Sequence, residues 1–317
     1  MTNVTVFGAS GFIGRHLVQR LARKGMRVKA AVRRTQRGNF LVPMGDVGQV
    51  VPIGADITDD ASVAMAVTGA DAVVNLVGIL YESRGNGGFQ AVHVDGAARV
   101  AKAAKNAGAR HLIHVSTIGA DHNSPSRYGR TKADGEAAVR AAFPTATILR
   151  PSIVFGPEDD FFNRFASLAR VAPAMPLFGG GATQYQPVYV GDVADGIAAC
   201  LTNPAAVGQT YELGGPRRYS FAELMALMLT VTDRQCLLMN LPFWLADVIG
   251  AIAGLAPGRP MLTRDQAKLL RRDNVTASGM PGLTELGIAA TACEVILPTY
   301  LARFRKAGQR PAGAVID

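Results

Sequence analysis

The sequence predicts an α/β protein, a doubly wound parallel sheet followed by a small, mainly helical C-terminal lobe. Three observations carry that prediction. A β-branched run, Val4, Thr5 and Val6, ends in Gly8, Gly11 and Gly14 and passes straight into a helical pattern. Short apolar runs then recur at 28–32, 50–53, 71–78, 112–117 and 147–150, with helical patterns between them, which is the βαβ rhythm of a parallel sheet. Beyond Pro151 that rhythm gives way to proline- and glycine-rich passages and to helical patterns over 221–231, 241–255 and 264–272. At 317 residues the chain is long enough for one large α/β unit or two small domains.

The first strand and its three glycines form one motif. A glycine at position 8 allows a tight turn, Gly11 a close backbone approach, and Gly14 the packing of helix on strand. The helix expected over 12–24, with apolar residues at Phe12, Ile13, Leu17, Val18 and Leu21, would aim the unpaired amides of Ser10, Gly11, Phe12 and Ile13 at a dinucleotide pyrophosphate. A glycine triplet also serves plain turns, but strand before and helix after favour nucleotide binding. The architecture expected is therefore of Rossmann type.

The strand at 28–32 ends in Arg33 and Arg34, where an NAD site places an acid; arginines there can pair with a 2′-phosphate, which points to NADPH (NADP) as cofactor. Two solvated arginines at a strand end are the alternative. After the strand at 50–53, Asp56 can accept from the adenine amino group with Ile57 packing on the ring, or Asp56 can sit near the cap of a helix over 58–67. The fourth strand ends in Asn75, Leu76, Val77 and Gly78, and these residues line the cofactor in this reading. A polar loop over 81–88 and a long helix over 89–106 follow.

The fifth strand closes in Ser116 and Thr117, and Tyr128 and Lys132 follow at the i, i+4 spacing that shares one helix face. In hydride-transfer chemistry a tyrosine hydroxyl exchanges a proton with the substrate oxygen once a neighbouring ammonium lowers its pKa, and a Ser or Thr hydroxyl holds that oxygen. Thr117, Tyr128 and Lys132 are the expected catalytic set. A sixth strand at 147–150 delivers Pro151 to the cofactor.

Lys and Arg exceed Asp and Glu by 33 to 24, a formal charge of +9, which favours anionic ligands or surfaces; without basic runs interleaved with aromatics, nucleic acid is not expected. Cys200, Cys236 and Cys293 are odd in number and far apart, against a disulfide framework or a metal site and in keeping with a reducing compartment. The N-terminal apolar run is too short for a signal peptide. The stretch 237–257 is apolar but broken by Asn240, Pro242 and Asp247, so it reads as an interfacial or partner-docking segment rather than a membrane span. Within it Trp244, Leu245, Val248, Ile249, Ile252 and Leu255 fall on one helical face, and Arg259, Arg264, Lys268, Arg271 and Arg272 follow. That face either docks on a membrane-associated partner or packs into its own lobe.

Together the glycine motif, Asp56, 75–78, Ser116 with Thr117, Tyr128 with Lys132, Arg150 with Pro151, and the segment 187–192 resemble the extended, partly atypical short-chain dehydrogenase/reductases over nearly the whole chain. The phrases at 43–49 (Pro-Met-Gly-Asp-Val-Gly-Gln), 126–128, 142–144, 155–159, 186–190 and 262–265 are similar to the nucleotide-binding accessory subunit of respiratory complex I and its bacterial relatives. That resemblance implies tight NADPH binding, complex I subunits and quinone as partners, peripheral contact with the membrane surface and little turnover. Where active extended members carry an asparagine in the long helix this chain has His93, which weakens the implied proton relay; an ordinary helix residue is the other reading. The competing function is a free-standing NADP-dependent reductase or epimerase for a small carbonyl or sugar-nucleotide substrate, favoured by the retained Tyr128 and Lys132. Expected boundaries are 1–158 for the nucleotide domain, with a return segment near 183–203, and 159–317 for a substrate- or partner-docking lobe. The expected location is cytoplasmic, peripheral on the cytoplasmic face of the inner membrane if docking holds.

Overall fold

A computed structural model describes residues 2–82, 87–253 and 263–306. The chain divides into two compact units, the first built from 1–151, 190–213 and 276–289, the second from 152–189, 214–275 and 290–317. The first segment thus closes at Pro151 rather than 158, the return is 190–213 rather than 183–203, and a second return, 276–289, had no sequence signal. Backbone pairing accounts for both returns. Thr210–Leu213 joins the sheet as a strand beside the sixth, and Glu212 of that strand donates its amide to the Pro281 carbonyl at 2.9 Å while its carboxylate accepts from the Ala277 amide at 2.8 Å.

The first unit is a seven-stranded parallel sheet with helices on its faces. Its strands are β1 (Asn3–Phe7), β2 (Arg27–Val32), β3 (Val50–Gly54), β4 (Ala72–Asn75), β5 (His111–Val115), β6 (Thr147–Pro151) and β7 (Thr210–Leu213), in spatial order β7-β6-β5-β4-β1-β2-β3. The order reverses between β1 and β4, the switch point above which ligands of such sheets lie. The helices are α1 (Phe12–Arg23), α2 (Asp60–Val67), α3 (Gly96–Asn106), α4 (Arg127–Ala142) and α5 (Val190–Cys200). Helices α2, α3 and α4 share a core with Phe7, Val73, Leu112 and Ile148, and α1 packs against α5, where Arg20 pairs with Asp195 at 2.8 Å. The long helix expected over 89–106 is two pieces, a π-helical segment Gln90–Asp95 running into α3. Strands β4 and β5 stop at Asn75 and Val115, short of the expected 78 and 117, leaving their last residues as loop at the carboxyl edge of the sheet.

Among the described residues, the second unit has helices Phe162–Leu168, Phe221–Thr232, Phe243–Ala253, Arg264–Leu269 and Cys293–Leu301 and three two-stranded ladders. An aromatic cluster including Phe155, Phe162, Tyr185, Tyr219 and Phe221 forms its core. Trp244, Val248 and Ile249 on Phe243–Ala253 are exposed, and Leu245 is partly so. The Ile252 side chain, Leu255 and Arg259 lie outside the described residues. Arg271 pairs with Asp247 at 2.5 Å and lies over the Phe243 ring, so that cation neutralises an acid of its own unit. Among the described residues, no helix is long and apolar enough to cross a membrane.

Candidate functional site

At the carboxyl end of β1 the chain turns at Gly8, whose φ of 78° lies in the left-handed region. Its carbonyl accepts from the Gly11 amide at 2.9 Å, and Gly11 caps α1 without a side-chain partner. The N-terminal amides of α1, at Phe12 and Ile13, therefore face a cradle made of backbone. A Cβ on Gly14 would come within 2.3 Å of the Gly8 carbonyl oxygen, so only glycine fits there. Ser10 stands in the same loop. Gly8 in turn sits under Leu76 and Val77, since a Cβ there would lie 3.4 Å from Val77 Cγ2.

Arg33 and Arg34 are exposed at the end of β2, where the sequence places them. Asp56 follows β3; its Oδ1 accepts from the Thr58 amide at 2.9 Å and the Thr58 hydroxyl at 2.7 Å. Burial pulls its carboxyl up, but these two hydrogen bonds and the charges of Arg33 and Arg99 hold it below the ordinary range. The cap of α2 is Asp59, which accepts from the Ala61 and Ser62 amides. Ile57 is buried against α3, where a Cβ on Gly96 would come within 2.7 Å of its Cδ1. Its side chain is therefore seated in the core beside α3.

The polar end of the site is built differently. Lys132 is buried, and its Nζ donates to the Val115 carbonyl at 3.0 Å. Burial pulls its ammonium down to about 8, while Glu136 one turn along α4 pulls it up. Glu136 is in turn held bidentately by Arg150, at 2.9 and 2.7 Å. Tyr128 is hydrogen-bonded to Thr117, yet burial lifts its phenol to about 12. The expected lowering of the tyrosine pKa is therefore reversed in this structure, because burial outweighs the Thr117 hydrogen bond and the lysine donates to a strand carbonyl. Pro151 closes β6, its carbonyl accepting from the Ile118 amide at 3.0 Å.

Glu136, Thr131 and His114 had no individual reading from sequence, whereas His93 had two. His93 is buried on the π-helical segment, with Nε2 accepting from the Ile79 amide and Nδ1 paired with the Thr131 hydroxyl, both at 3.1 Å. It stacks on Phe89 and meets the Tyr128 ring edge-on. Burial and the Lys132 charge pull its imidazole down to about 3. His114, on β5, is buried and held neutral by the same causes, with Nδ1 accepting from Asn75 Nδ2 at 3.3 Å. Ser116 Oγ is buried and, among the described residues, is the one side-chain polar atom so buried without a hydrogen-bond partner. The signal available for Glu136 was its i, i+4 spacing from Lys132; periodicity says nothing of Thr131 or His114.

These features fit a dinucleotide. The glycine cradle excludes side chains where a phosphate would press, and Ser116 Oγ is a hydroxyl still lacking a partner at the end of β5. Residues 4–214 match the NAD dependent epimerase/dehydratase family. The chain belongs to that family. Like others of its type this epimerase/dehydratase-family chain is a short-chain dehydrogenase/reductase with an NAD(P)-binding Rossmann sheet. It is 39% identical over 303 residues to the rat protein "NADH dehydrogenase (ubiquinone) 1 alpha subcomplex subunit 9, mitochondrial", covering 95% of this chain and 80% of the relative. It is 33% identical over 241 residues to a ceramide reductase of Caulobacter vibrioides, covering 75% and 73%. Among solved structures, dTDP-glucose 4,6-dehydratase from Streptomyces venezuelae with NAD bound shares the fold at a TM-score of 0.70 and 22% identity, covering 96% of each chain.

Proposed function

We propose that this protein is an NADPH-holding accessory subunit of respiratory complex I, the NADH:ubiquinone oxidoreductase, with little turnover of its own. The observation that carries this reading is the 39% identity to the rat subunit over 95% of the chain, because a likeness owed to dinucleotide binding alone would stop with the sheet. In this reading the amides of Phe12 and Ile13 hold the pyrophosphate over the close approach that Gly11 allows, Arg33 and Arg34 hold the 2′-phosphate, and Asp56 with the Ile57 backbone holds the adenine. Leu76, Val77, Gly78 and Pro151 flank the nicotinamide end, and Tyr128 and Lys132 hold its ribose. When bound, the nicotinamide supplies a hydride. Burial raises the phenol of Tyr128 and lowers the imidazole of His93, so neither group is tuned towards neutral pH for proton exchange. That balance favours retention over turnover. Quinone enters as a ligand of the surrounding complex, and the exposed Trp244, Val248 and Ile249 supply a peripheral contact with the cytoplasmic face of the membrane. The test is to purify the native protein from cells in mild detergent. NADPH and complex I subunits should accompany it; a soluble protein carrying neither would overturn the reading.

A second reading, a free-standing NADP-dependent reductase or epimerase, draws support from the ceramide reductase relative and from the retained Thr117, Tyr128 and Lys132. Rapid NADPH oxidation with a carbonyl or sugar-nucleotide substrate, abolished by Tyr128→Phe, would establish it in place of the first.

A further inference from the structure

We propose that His93 is a positioning residue that ties the carboxyl end of β4 to α4 and so fixes the nicotinamide end of the cofactor site, acting as a neutral donor–acceptor bridge. The inference rests on the NAD(P)-binding reading of the site. Its geometry is fully determined by partners. The Ile79 amide can only donate, so Nε2 accepts and the single ring proton lies on Nδ1, which donates to Thr131 Oγ1. The Thr131 hydroxyl then donates its own proton to the Tyr128 carbonyl at 3.1 Å. One imidazole thus connects the loop after β4 to the turn of α4 that carries Tyr128.

Three further features hold the ring in that pose. Phe89 stacks on one side with ring centroids 5.2 Å apart, and Tyr128 closes another with its ring 5.4 Å away at 84°. The π-helical turn carries His93 close to α4, and a Cβ on Gly135 would come within 2.1 Å of the His93 carbonyl oxygen. A bridge so held has a target. A Cβ on Gly78 would stand 3.8 Å from His93 Nε2 and 3.7 Å from Lys132 Nζ, so the His93–Ile79 bond sets the peptide that borders Lys132. The bridge carries no charge to the ligand and moves no proton to it. Its effect is on where Gly78, Tyr128 and Lys132 stand.

The test compares the wild type with His93→Phe, which keeps a stacked ring and loses both hydrogen bonds, and with Thr131→Val, which removes the Nδ1 partner and its bond to the Tyr128 carbonyl but keeps the Ile79 bond. Amide hydrogen exchange at Ile79 is measured on the nucleotide-free proteins, and affinity is measured for NADPH and for 2′,5′-ADP, which lacks the nicotinamide half. The expected result is faster exchange at Ile79 in His93→Phe, a loss of about tenfold in NADPH affinity, and unchanged 2′,5′-ADP affinity. Thr131→Val should weaken NADPH in the same direction by a smaller factor. Unchanged exchange at Ile79, or equal losses for both nucleotides, overturns the positioning role and leaves the cofactor reading standing. A wild type that binds neither nucleotide removes the cofactor reading itself and this inference with it.

Discussion

The two ends of the nucleotide site use opposite materials. At the glycine end the site is defined by the absence of side chains: Gly8, Gly11 and Gly14 leave backbone amides and a helix terminus, and none of these groups titrates. At the tyrosine end it is defined by side chains that are buried or, for Tyr128, half-buried, and whose ordinary charges are suppressed, with Tyr128 raised, and Lys132, His93 and His114 lowered. The first end keeps the same charge at every pH. The second lies near a balance that a bound nucleotide or a proton can shift, and it pays for burial in a way backbone does not.

The sharpest way to break this contrast is at Gly14. A Cβ 2.3 Å from the Gly8 oxygen must displace backbone, so Gly14→Ala should abolish measurable nucleotide binding and lower the melting temperature by several degrees. Calorimetric titration and thermal unfolding report both. If the variant binds as the wild type does, the cradle is not the phosphate site.

Lys132→Met should do two opposite things. Nucleotide affinity should fall by at least about tenfold with the loss of a charged donor. The nucleotide-free protein should become more stable at pH 7. The sign follows from the lysine being depressed from 10.5 to about 8 in the fold: stability is fully present above 10.5 and lost as pH falls through 8, so at pH 7 the wild type bears the whole cost. The variant's advantage should therefore shrink between pH 8 and 10.5 in urea unfolding. A constant difference across that range would mean that Lys132 is not depressed.

Arg33→Ala should remove a preference for NADPH over NADH of about tenfold, read by titration with both nucleotides. No change would leave these arginines as solvated strand-end residues. The smallest effect is expected at Ser116→Ala, which should stabilise the nucleotide-free protein by about 1 kcal/mol by removing an unpartnered buried hydroxyl and should weaken nucleotide binding slightly. Destabilisation without nucleotide would mean that the hydroxyl has a partner such as an ordered water.

The glycine end was legible because its signal is local: strand, glycine spacing and helix lie within the first two dozen residues. The sheet was legible for a similar reason up to β6, since each strand is a short apolar run followed by a helical pattern. Strand β7 was not, because nothing in Thr210, Tyr211, Glu212 and Leu213 marks a strand until Arg150 and the β6 backbone are placed beside them. At the tyrosine end the residue types were readable and their electrostatics were not. Spacing places Lys132 one turn from Tyr128, but burial depends on elements far away in sequence, and burial sets the sign of both shifts. For His93 the sequence left two readings open, and the Ile79 amide and Thr131 hydroxyl that partner it lie far from it along the chain.

The three-segment construction of the sheet unit bears on how the chain is made. As it leaves the ribosome, β6 presents an unpaired edge until Thr210–Leu213 emerges, and the segment 152–189 must be synthesised in between. Arg150 meanwhile holds Glu136, while its other acid, Glu212, is still to come, and the backbone and carboxylate of Glu212 find their own partners only when Pro281 and Ala277 arrive. Translation order and folding order are thus out of step. A nascent chain stalled just past residue 158 would expose a sticky strand edge to its neighbours, so the nucleotide-binding unit matures only near the end of synthesis.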